Sequence, residues 1–200
     1  NDSSDLWNKL SSYFRPPVQY ENVNGNIRSP LLYYKGDTVR TVEDWQRRRT
    51  EIKDRWMSLL GQWPPVITGQ TFEILDTLHR ENFMQYRVRF YWTPNEQTEG
   101  YLLVPDKEGK KPAVITTFYE PETAIGLGGK PYRDFAYQLT KRGFVTLSIG
   151  TTKTTENQTY SIYYPTIENA TLQPLSALAY AAANAWEVLA KVQDVDSTRI

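Results

Sequence analysis

The sequence is poor in the side chains that hold metal ions and disulfide bonds. Its 200 residues include no cysteine and one histidine, His79. The absence of cysteine excludes disulfide bonds, thiolate nucleophiles and cysteine-ligated metal ions. A single histidine cannot supply the clustered nitrogen ligands of a zinc site. His79 ends a predicted strand beside Arg80, where a structural or exposed role is usual. We therefore expect no metal and no cofactor.

The chain also has no excess of charge and no long apolar run. It contains 23 Lys and Arg residues and 23 Asp and Glu residues, which gives a net charge of +0. Without a basic excess to neutralise phosphates, nucleic acid and an anionic membrane surface are not expected as partners. A membrane-spanning helix needs about 20 successive apolar residues. The Ala-rich stretch 177–190 is interrupted by Asn184 and Glu187, so no membrane span is predicted.

Complete catalytic motifs are missing as well. No G-x-S-x-G, S-x-x-K, P-loop or G-x-G-x-x-G sequence occurs, so neither a nucleophilic serine nor a phosphate-binding loop is visible. Asp194 and Asp196 could bind a cation, although a turn between a helix and a strand explains both. Aromatic residues are abundant instead, at 14% of the chain. They fit both a packed core with strand faces and a sugar-stacking surface.

The first 65 residues predict a polar arm followed by one amphipathic helix. Residues 1–40 contain Pro16, Pro17 and several Asn, Ser and Gly residues, which favour an extended arm. A helix is predicted for Val42–Leu60, with Thr41 as its N-cap and Gly61 at its end. Its apolar face consists of Trp45, Ile52, Trp56, Leu59 and Leu60. The arginine-rich opposite face is expected to be solvated.

Residues 66–200 alternate between strand patterns and helix patterns. The predicted strands are 72–78, 84–92, 100–104, 113–117 and 144–149. The segment 84–92 alternates apolar and polar residues, which predicts an antiparallel strand with one buried face. One helix pattern begins at Tyr132 and another at Pro174. This order predicts an α/β fold in which an antiparallel hairpin leads into parallel strands with flanking helices.

The order of a few short segments resembles that of a known family. These segments are LLVP and KPAVI on either side of a polar turn, then RGFVTLSI, then VDSTRI. In this order they resemble the N-terminal half of the α/β-hydrolase fold, in particular that of acetyl xylan esterases, glucuronoyl esterases and dienelactone hydrolases. The resemblance covers residues 66–200. It implies an α/β-hydrolase sheet that follows an N-terminal arm and helix in residues 1–65.

The resemblance also implies where the catalytic residues lie. In this family, the strand that begins at a position like Ile200 leads into the nucleophile elbow, G-x-S-x-G. The nucleophile, the acid and the histidine would therefore lie beyond Ile200, and the 200-residue chain is expected to be truncated before the elbow and inactive. Half of the oxyanion hole would lie within the chain, as a backbone N–H of Phe118 or Tyr119. Many members of this family have His-Gly here, whereas this sequence departs from that pattern with Phe118-Tyr119.

Four further residues are candidates for substrate binding. Glu120 and Glu122 could bind substrate hydroxyls, or they could form an exposed acidic loop. Lys153 and Tyr163 lie in the loop 150–172, which follows a predicted strand. Ligands of open α/β sheets bind at the C-terminal ends of the strands, so a sugar-facing role is one interpretation of this loop.

Three functions fit these observations. The resemblance implies a serine esterase that hydrolyses a carbohydrate ester through an acyl-enzyme. The alternative is a non-catalytic, hydrolase-like carbohydrate-binding protein, and a third interpretation is a complete binding or structural domain. The expected partner is a small-molecule or polysaccharide ester, and no oligomeric state is predicted. A removed signal peptide would explain a first residue other than methionine, and so would a start chosen within a longer sequence. A secreted or periplasmic location is expected.

Overall fold

The computed structural model describes residues 3–23, 25, 27–129, 131–150 and 162–200. The chain divides into two units, residues 1–55 and 56–200. The division falls within helix α2 (Val42–Leu60). Among the described residues, no helix is both long enough and apolar enough to cross a membrane.

The first unit consists mainly of helices. It begins with α1 (Ser3–Leu10), whose Leu6 and Leu10 lie one turn apart although the polar composition of the arm does not predict a helix. Two 3-10 helices follow, Ser11–Phe14 and Val18–Tyr20. The predicted N-cap of α2 is confirmed. The Asp44 N–H donates to Thr41 Oγ1 at 3.0 Å, and the Thr41 N–H donates to Asp44 Oδ2 at 3.2 Å.

The expectation that the arginine-rich face of α2 is solvated is wrong at Arg48. This residue is 3% exposed, its Nε donates to Pro30 O at 3.1 Å, and its Nη1 pairs with Glu51. Its guanidinium carbon lies 4.3 Å from the centroid of the Tyr34 ring, within the range of a cation–π contact. The residues that bury Arg48 come from the arm, so the pattern along the helix does not reveal them. On the predicted apolar face, Trp56 is 57% exposed.

The second unit is built around a sheet that has five strands in the described part of the chain. The strands are β1 (Glu73–Arg80), β2 (Phe83–Thr93), β3 (Glu96–Pro105), β4 (Ala113–Thr117) and β5 (Val145–Ile149). They pair in the order β1-β2-β3-β5-β4. The first three pairings in this order are antiparallel, and β4 pairs with β5 in parallel. The predicted α/β fold is therefore confirmed.

Helices cover both faces of this sheet. They are α3 (Pro121–Ala124), α4 (Phe135–Lys141) and α5 (Pro174–Leu189). Leu102 and Leu103 are neighbours in β3, and they point into separate cores: Leu102 into the core with α5, and Leu103 into the core with α3 and α4. The predicted start of α5 at Pro174 is confirmed. The side chain of Gln173 caps this helix by accepting from Leu175 N–H at 2.7 Å.

Two local predictions in the second unit are wrong. Helix α4 begins at Phe135, because Tyr132 has φ +61°, outside the helical region, and is 99% exposed. The polar face of β2 is buried at its start, where Gln85 is 7% exposed. Helix α4 covers this end of the strand, with the rings of Phe83 and Tyr137 5.9 Å apart. Contacts between distant segments therefore override the simple alternation of β2.

Val195 pairs in parallel with the segment that leads into β4, and residues 196–199 form a turn beside the start of this strand. Lys111 forms a parallel bridge with Val195, and the Ala113 N–H donates to Arg199 O at 2.9 Å. Lys111 is 4% exposed, and its Nζ lies 3.3 Å from Asp194 Oδ1. This segment therefore lies along the edge of β4 opposite β5.

Candidate functional site

The chain turns sharply after β4, at the C-terminal end of the two parallel strands. Phe118, Tyr119 and Glu120 form the turn, and Pro121 begins the single helical turn α3, with Glu120 at its N-cap position. Proline is favoured at the first helical position, because an N–H there would have no acceptor within the helix. We call residues 118–121 the β4 turn. The structure therefore places both predicted oxyanion residues in a short, defined turn.

Close contacts hold the β4 turn against the end of β5. The Phe118 N–H donates to Ile149 O at 3.2 Å, and Ser148 Oγ donates to Pro121 O at 2.9 Å. Gly150 follows β5 directly, and a Cβ at this position would lie 2.6 Å from Phe118 O. The glycine therefore permits a backbone approach that any other residue would obstruct.

The two candidate oxyanion donors are neighbours in the β4 turn. The Phe118 N–H donates to Ile149 O and so extends the hydrogen bonding of the sheet. The backbone N–H of Tyr119 stays a predicted donor. Its side chain is 54% exposed, and its ring centroid lies 5.2 Å from that of Phe118. Because a backbone donor needs no particular side chain, the tyrosine does not rule out this role.

The two glutamates near the turn contact other side chains of the fold. Glu122 Oε1 accepts a hydrogen bond from the Tyr101 hydroxyl at 3.2 Å, and Glu120 Oε1 accepts one from Thr123 Oγ1 at 3.0 Å. Burial raises the pKa of Tyr101 to about 12, and the charge of Glu122 adds to this shift. The phenol is therefore protonated at neutral pH and can donate to the carboxylate. Binding of substrate hydroxyls by either glutamate stays a prediction.

A pocket of about 520 Å³ lies beside the β4 turn. Its walls come from the ends of β2, β4 and β5 and from the first half of α5. Residues that shape it include Trp92, Phe118, Tyr119, Ile149, Leu178 and Ala182. Most of the lining side chains are apolar or aromatic, and no Asp, Glu, Lys, Arg or His is among the described residues that line it. The volume is within the range of small-molecule sites.

Trp92 combines deep burial with an unused hydrogen-bond donor. It is 4% exposed, and its backbone O accepts from Asn184 Nδ2 at 2.7 Å, which ties β2 to α5. Of the buried side-chain polar atoms in the described part of the chain, Trp92 Nε1 alone lacks a hydrogen-bond partner. The indole of Trp63, by contrast, donates to Ser176 Oγ at 2.9 Å. The pocket is therefore bordered by an indole whose N–H has no acceptor in the described fold.

Of the two other predicted substrate-binding residues, Tyr163 is described and Lys153 lies outside the described residues. Tyr163 is 39% exposed and does not line the pocket. Its neighbour Tyr164 packs against Tyr180, with ring centroids 6.3 Å apart. A sugar-facing role for Lys153 or Tyr163 stays a prediction.

The single histidine lies far from the pocket. His79 is opposite Met84 near one end of the β1–β2 pair, whereas Trp92 lies near the other end of β2. At 3.3 Å per residue, Met84 and Trp92 are separated by about 26 Å. His79 Nε2 lies 2.9 Å from Asp106 Oδ2, and the imidazole is 55% exposed. The histidine therefore has a surface partner and cannot act on a molecule in the pocket.

The two aspartates near Ile200 both have side-chain partners, Asp196 within its own turn and Asp194 in the segment that leads into β4. Asp196 accepts from Thr198 Oγ1 at 2.7 Å and from Arg199 Nε at 2.6 Å, and Asp194 pairs with Lys111. These hydrogen bonds to Thr198 and Arg199 lower the pKa of Asp196 to about 2. Within the described ranges, no group of three or more His, Cys, Asp and Glu side chains could hold a metal ion. These partners therefore account for both aspartates without a cation.

Sequence reasoning missed the pocket and the role of Trp92 in it. The Ala-rich pattern predicts α5, but it does not show that Ala179 and Ala182 leave space beside the sheet. One sequence signal could have indicated the pocket. It is the run of small residues in α5, because the loop before this helix starts at the end of the parallel strand β5. A second signal for the pocket is a tryptophan near the end of a strand in which apolar and polar residues alternate, as Trp92 is in β2.

Comparison with known proteins identifies the fold. No protein-family model matches the sequence, and no curated protein matches it. A glucuronoyl esterase from Solibacter usitatus is 16% identical with a TM-score of 0.63, over 88% of this chain and 56% of that chain. A Bacteroides fragilis protein provisionally named an acetyl xylan esterase is 13% identical with a TM-score of 0.60, over 93% and 54% of the two chains. A glucuronoyl esterase from Teredinibacter turnerae is 14% identical with a TM-score of 0.51, over 87% and 49%.

These similarities concern the fold. The chain spans about half the length of the solved structures that it matches. The matched proteins are carbohydrate esterases with the α/β-hydrolase fold. The predicted resemblance to the N-terminal part of that fold, preceded by a helical segment, is therefore confirmed.

Proposed function

We propose that this chain forms the N-terminal half of a serine α/β-hydrolase that cleaves an ester of a carbohydrate, with residues 66–200 as its hydrolase part. The observation that carries this proposal is the position of the β4 turn. The turn borders a pocket of about 520 Å³ at the C-terminal end of the parallel strands, the edge where open α/β sheets bind their ligands. The fold shared with carbohydrate esterases supports the substrate class.

In this proposal, the backbone N–H of Tyr119 is one donor of the oxyanion hole. A serine oxygen attacks the carbonyl carbon of the ester, and negative charge develops on the carbonyl oxygen. A donor aimed at this oxygen lowers the barrier by roughly 3–4 kcal/mol. The C–O bond to the alcohol then breaks, and the alcohol leaves with a proton from the general acid. Water hydrolyses the acyl-enzyme to the carboxylic acid and restores the serine.

The serine and its base are proposed to come from sequence that follows Ile200. The solved structures with the same fold are about twice as long as this chain. His79 is excluded as the base, because it lies about 26 Å along the sheet from the pocket. The N–H of Ala113, the first residue of β4, donates to Arg199 O, so a strand that begins at Ile200 and runs parallel to β4 would lead toward the β4 turn.

The first test compares the 200-residue chain with the longer product of its gene. We expect the longer product to hydrolyse p-nitrophenyl acetate and either acetylated xylan or a methyl ester of glucuronic acid, and the 200-residue chain to hydrolyse none of them. A fluorophosphonate should label the longer product at a serine after Ile200. Turnover by the 200-residue chain well above that of buffer would contradict the proposal. A longer product that is not labelled but binds xylan-derived oligosaccharides would favour the carbohydrate-binding alternative.

The second test isolates the proposed donor. In the longer product, Tyr119→Pro removes the backbone N–H and should lower kcat about 100-fold. Tyr119→Ala removes the side chain but keeps the N–H, so it should retain most of the activity. Equal losses in the two variants, with melting temperatures unchanged, would show that the N–H of residue 119 is not an oxyanion donor.

A further inference from the structure

A second pocket, of about 570 Å³, lies between the end of β1, the segment that precedes α4, and α4 itself. We call it the α4 pocket. Unlike the pocket beside the β4 turn, it is lined by the polar side chains Arg80, Asp134 and Gln138, together with Tyr132 and Tyr137. One cationic and one anionic side chain are among the described lining residues, so their charges balance. The lining therefore suits a neutral ligand with several polar atoms.

Contacts within the fold hold the polar side chains of the α4 pocket in place. Arg80 Nη1 donates to Ile125 O at 2.9 Å, and its guanidinium carbon lies 5.1 Å from the centroid of the Tyr137 ring. Gln138 Nε2 donates to Asp134 Oδ2 at 2.9 Å. A guanidinium has five N–H donors and a carboxylate about four acceptor sites, so these contacts use only part of their capacity. The pocket therefore offers ordered donors and acceptors, as a ligand rich in hydroxyl groups requires.

Tyr132 is the lining residue that the fold itself does not explain. Its φ is +61°, in the left-handed region that a bulky side chain adopts only at a steric cost. Gly126 and Gly129, in the same segment, have φ values of +85° and +61° and adopt this region without that cost. Tyr132 is also 99% exposed, so its ring buries almost no apolar surface against the described fold. Neither the backbone nor the packing of the chain therefore favours a tyrosine at this position.

An exposed aromatic ring beside ordered polar side chains is a combination suited to sugars. One face of a pyranose ring consists largely of C–H groups, which can pack on an aromatic face. Its hydroxyl groups need donors and acceptors when they leave water. The α4 pocket has both parts, because Tyr132 provides the aromatic ring and Arg80 and Asp134 provide a donor and an acceptor. An anionic ligand would meet the carboxylate of Asp134, which favours a neutral sugar.

We propose that the α4 pocket is a second carbohydrate site, in which Tyr132 stacks on a neutral sugar ring whose hydroxyl groups bind the polar side chains of the pocket. The segment that carries Tyr132 reaches the β4 turn, since the guanidinium carbon of Arg133 lies 5.6 Å from the centroid of the Phe118 ring. The bound sugar is then a neighbouring unit of the polysaccharide whose ester reacts at the β4 turn. That assignment to the substrate rests on the proposed function, whereas the binding of a sugar does not.

The test uses two probes that differ in their hydroxyl groups. Xylotetraose consists of xylopyranose units, and tetrahydropyran has the same six-membered oxygen ring without hydroxyl groups. The 200-residue chain, labelled with 15N, is titrated with each probe while its amide resonances are followed by NMR. We expect xylotetraose at millimolar concentration to shift the amides of Gly126, Gly129, Asp134 and Gln138, and tetrahydropyran to leave them unmoved.

Variants of two exposed tyrosines show whether Tyr132 carries the binding. Tyr132→Gly removes the ring and should lower the affinity for xylotetraose about tenfold. Its Tm should stay close to that of the unchanged chain, because the relief of the left-handed φ offsets the greater freedom of glycine in the unfolded chain. Tyr132→Phe keeps the ring and should retain binding. Tyr13→Ala, at a position that is 83% exposed and does not line the α4 pocket, should also retain it.

Three results would overturn the inference. They are the absence of shifts at the four amides with xylotetraose, equal affinity of Tyr132→Gly and the unchanged chain, and an equal loss of affinity in Tyr132→Gly and Tyr13→Ala. All are read by binding to a chain that lacks the proposed nucleophile. A longer product without esterase activity would therefore overturn the proposed function and the assignment to its substrate, but not the binding of a sugar. A failed xylotetraose titration would overturn this inference alone.

Discussion

The glycine that follows β5 allows a direct test of how the candidate site is held. An ideal Cβ at position 150 would lie 2.6 Å from Phe118 O, 2.9 Å from Tyr119 O and 3.0 Å from Pro121 Cδ. Close carbon–oxygen contacts in proteins are about 3.3–3.6 Å. Gly150→Ala therefore requires the β4 turn to move away from β5 by about 0.7 Å at its closest point. The two nearest obstacles are main-chain oxygens, which cannot rotate out of the way as a side chain could.

The contacts around Gly150 determine how much stability Gly150→Ala should lose. Overpacking a well-packed site costs about 1–3 kcal/mol. The shift also strains the bond from the Phe118 N–H to Ile149 O and the bond from Ser148 Oγ to Pro121 O, each with a net value of about 1 kcal/mol. We expect Gly150→Ala to lower the free energy of unfolding by about 3 kcal/mol. For a chain of this size, that corresponds to a fall in Tm of about 6–12 °C.

Urea unfolding followed by circular dichroism measures this change, and two other glycines provide controls. At Gly69 no atom would lie within 4 Å of an added Cβ, so Gly69→Ala should change the stability little. At Gly61, where φ is +85°, an added Cβ would overlap Thr171 O. Gly61→Ala should destabilise the chain at least as much as Gly150→Ala, but the atoms close to its Cβ belong to Thr171 and Leu172, outside the β4 turn.

The two destabilised variants should differ in function. In the longer product, Gly150→Ala should lower kcat because it displaces Tyr119, whereas Gly61→Ala should retain kcat below its melting temperature. A Gly150→Ala chain as stable as Gly69→Ala would refute the close approach of the two segments. Equal kcat in Gly150→Ala and Gly61→Ala would refute the link between this approach and the donor.

Two further predictions concern charged groups. Asp196→Asn should lower stability at neutral pH, because the pKa of Asp196 is about 2 in the folded chain against an ordinary value of 3.8. The stability that ionised Asp196 contributes is present above pH 4 and is lost as the pH falls toward 2. Urea titrations should therefore show that the difference in free energy of unfolding between the unchanged chain and Asp196→Asn shrinks over this interval. A difference that stays constant would contradict this prediction. Arg48→Ala should destabilise the first unit by about 1.5–3 kcal/mol, since it removes the buried guanidinium that donates to Pro30 O and Glu51. Limited proteolysis should then cut residues 28–40 faster than in the exposed control Arg49→Ala, and equal rates would contradict a structural role.

Elements with local signals could be predicted from the sequence. Helix α2 has the predicted bounds because Thr41 and Gly61 mark its two ends and its apolar residues recur with helical spacing. Strand β4 also has its predicted bounds, since a polar turn precedes it and its residues are rich in β-branched side chains. Pro174 marks the start of α5, where its fixed φ suits the first helical position. In each case the determining residues lie within or beside the element.

The errors occur where a distant segment decides the environment. Arg48 is placed on a polar helix face by its spacing, but the carbonyl of Pro30 and the ring of Tyr34 enclose it. Gln85 is placed on a solvated strand face, but α4 covers that end of β2. Neither α4 nor residues 30–34 can be assigned to these positions from local periodicity, because periodicity describes one element at a time.

The candidate site has one feature that the sequence implies and another that a distant segment decides. Its place in the chain is implied by the resemblance to α/β-hydrolases, in which an oxyanion donor follows the strand at 113–117, and the role of Phe118 or Tyr119 as that donor stays a prediction. Its packing could not be predicted, because it depends on Gly150, which meets the β4 turn only through the parallel pairing of β4 with β5. The turn itself contains no glycine, and the glycine lies opposite it, at the end of β5. Tyr119 can therefore carry a large side chain while its main chain stays close to β5, and the residue that controls the position of its N–H is Gly150.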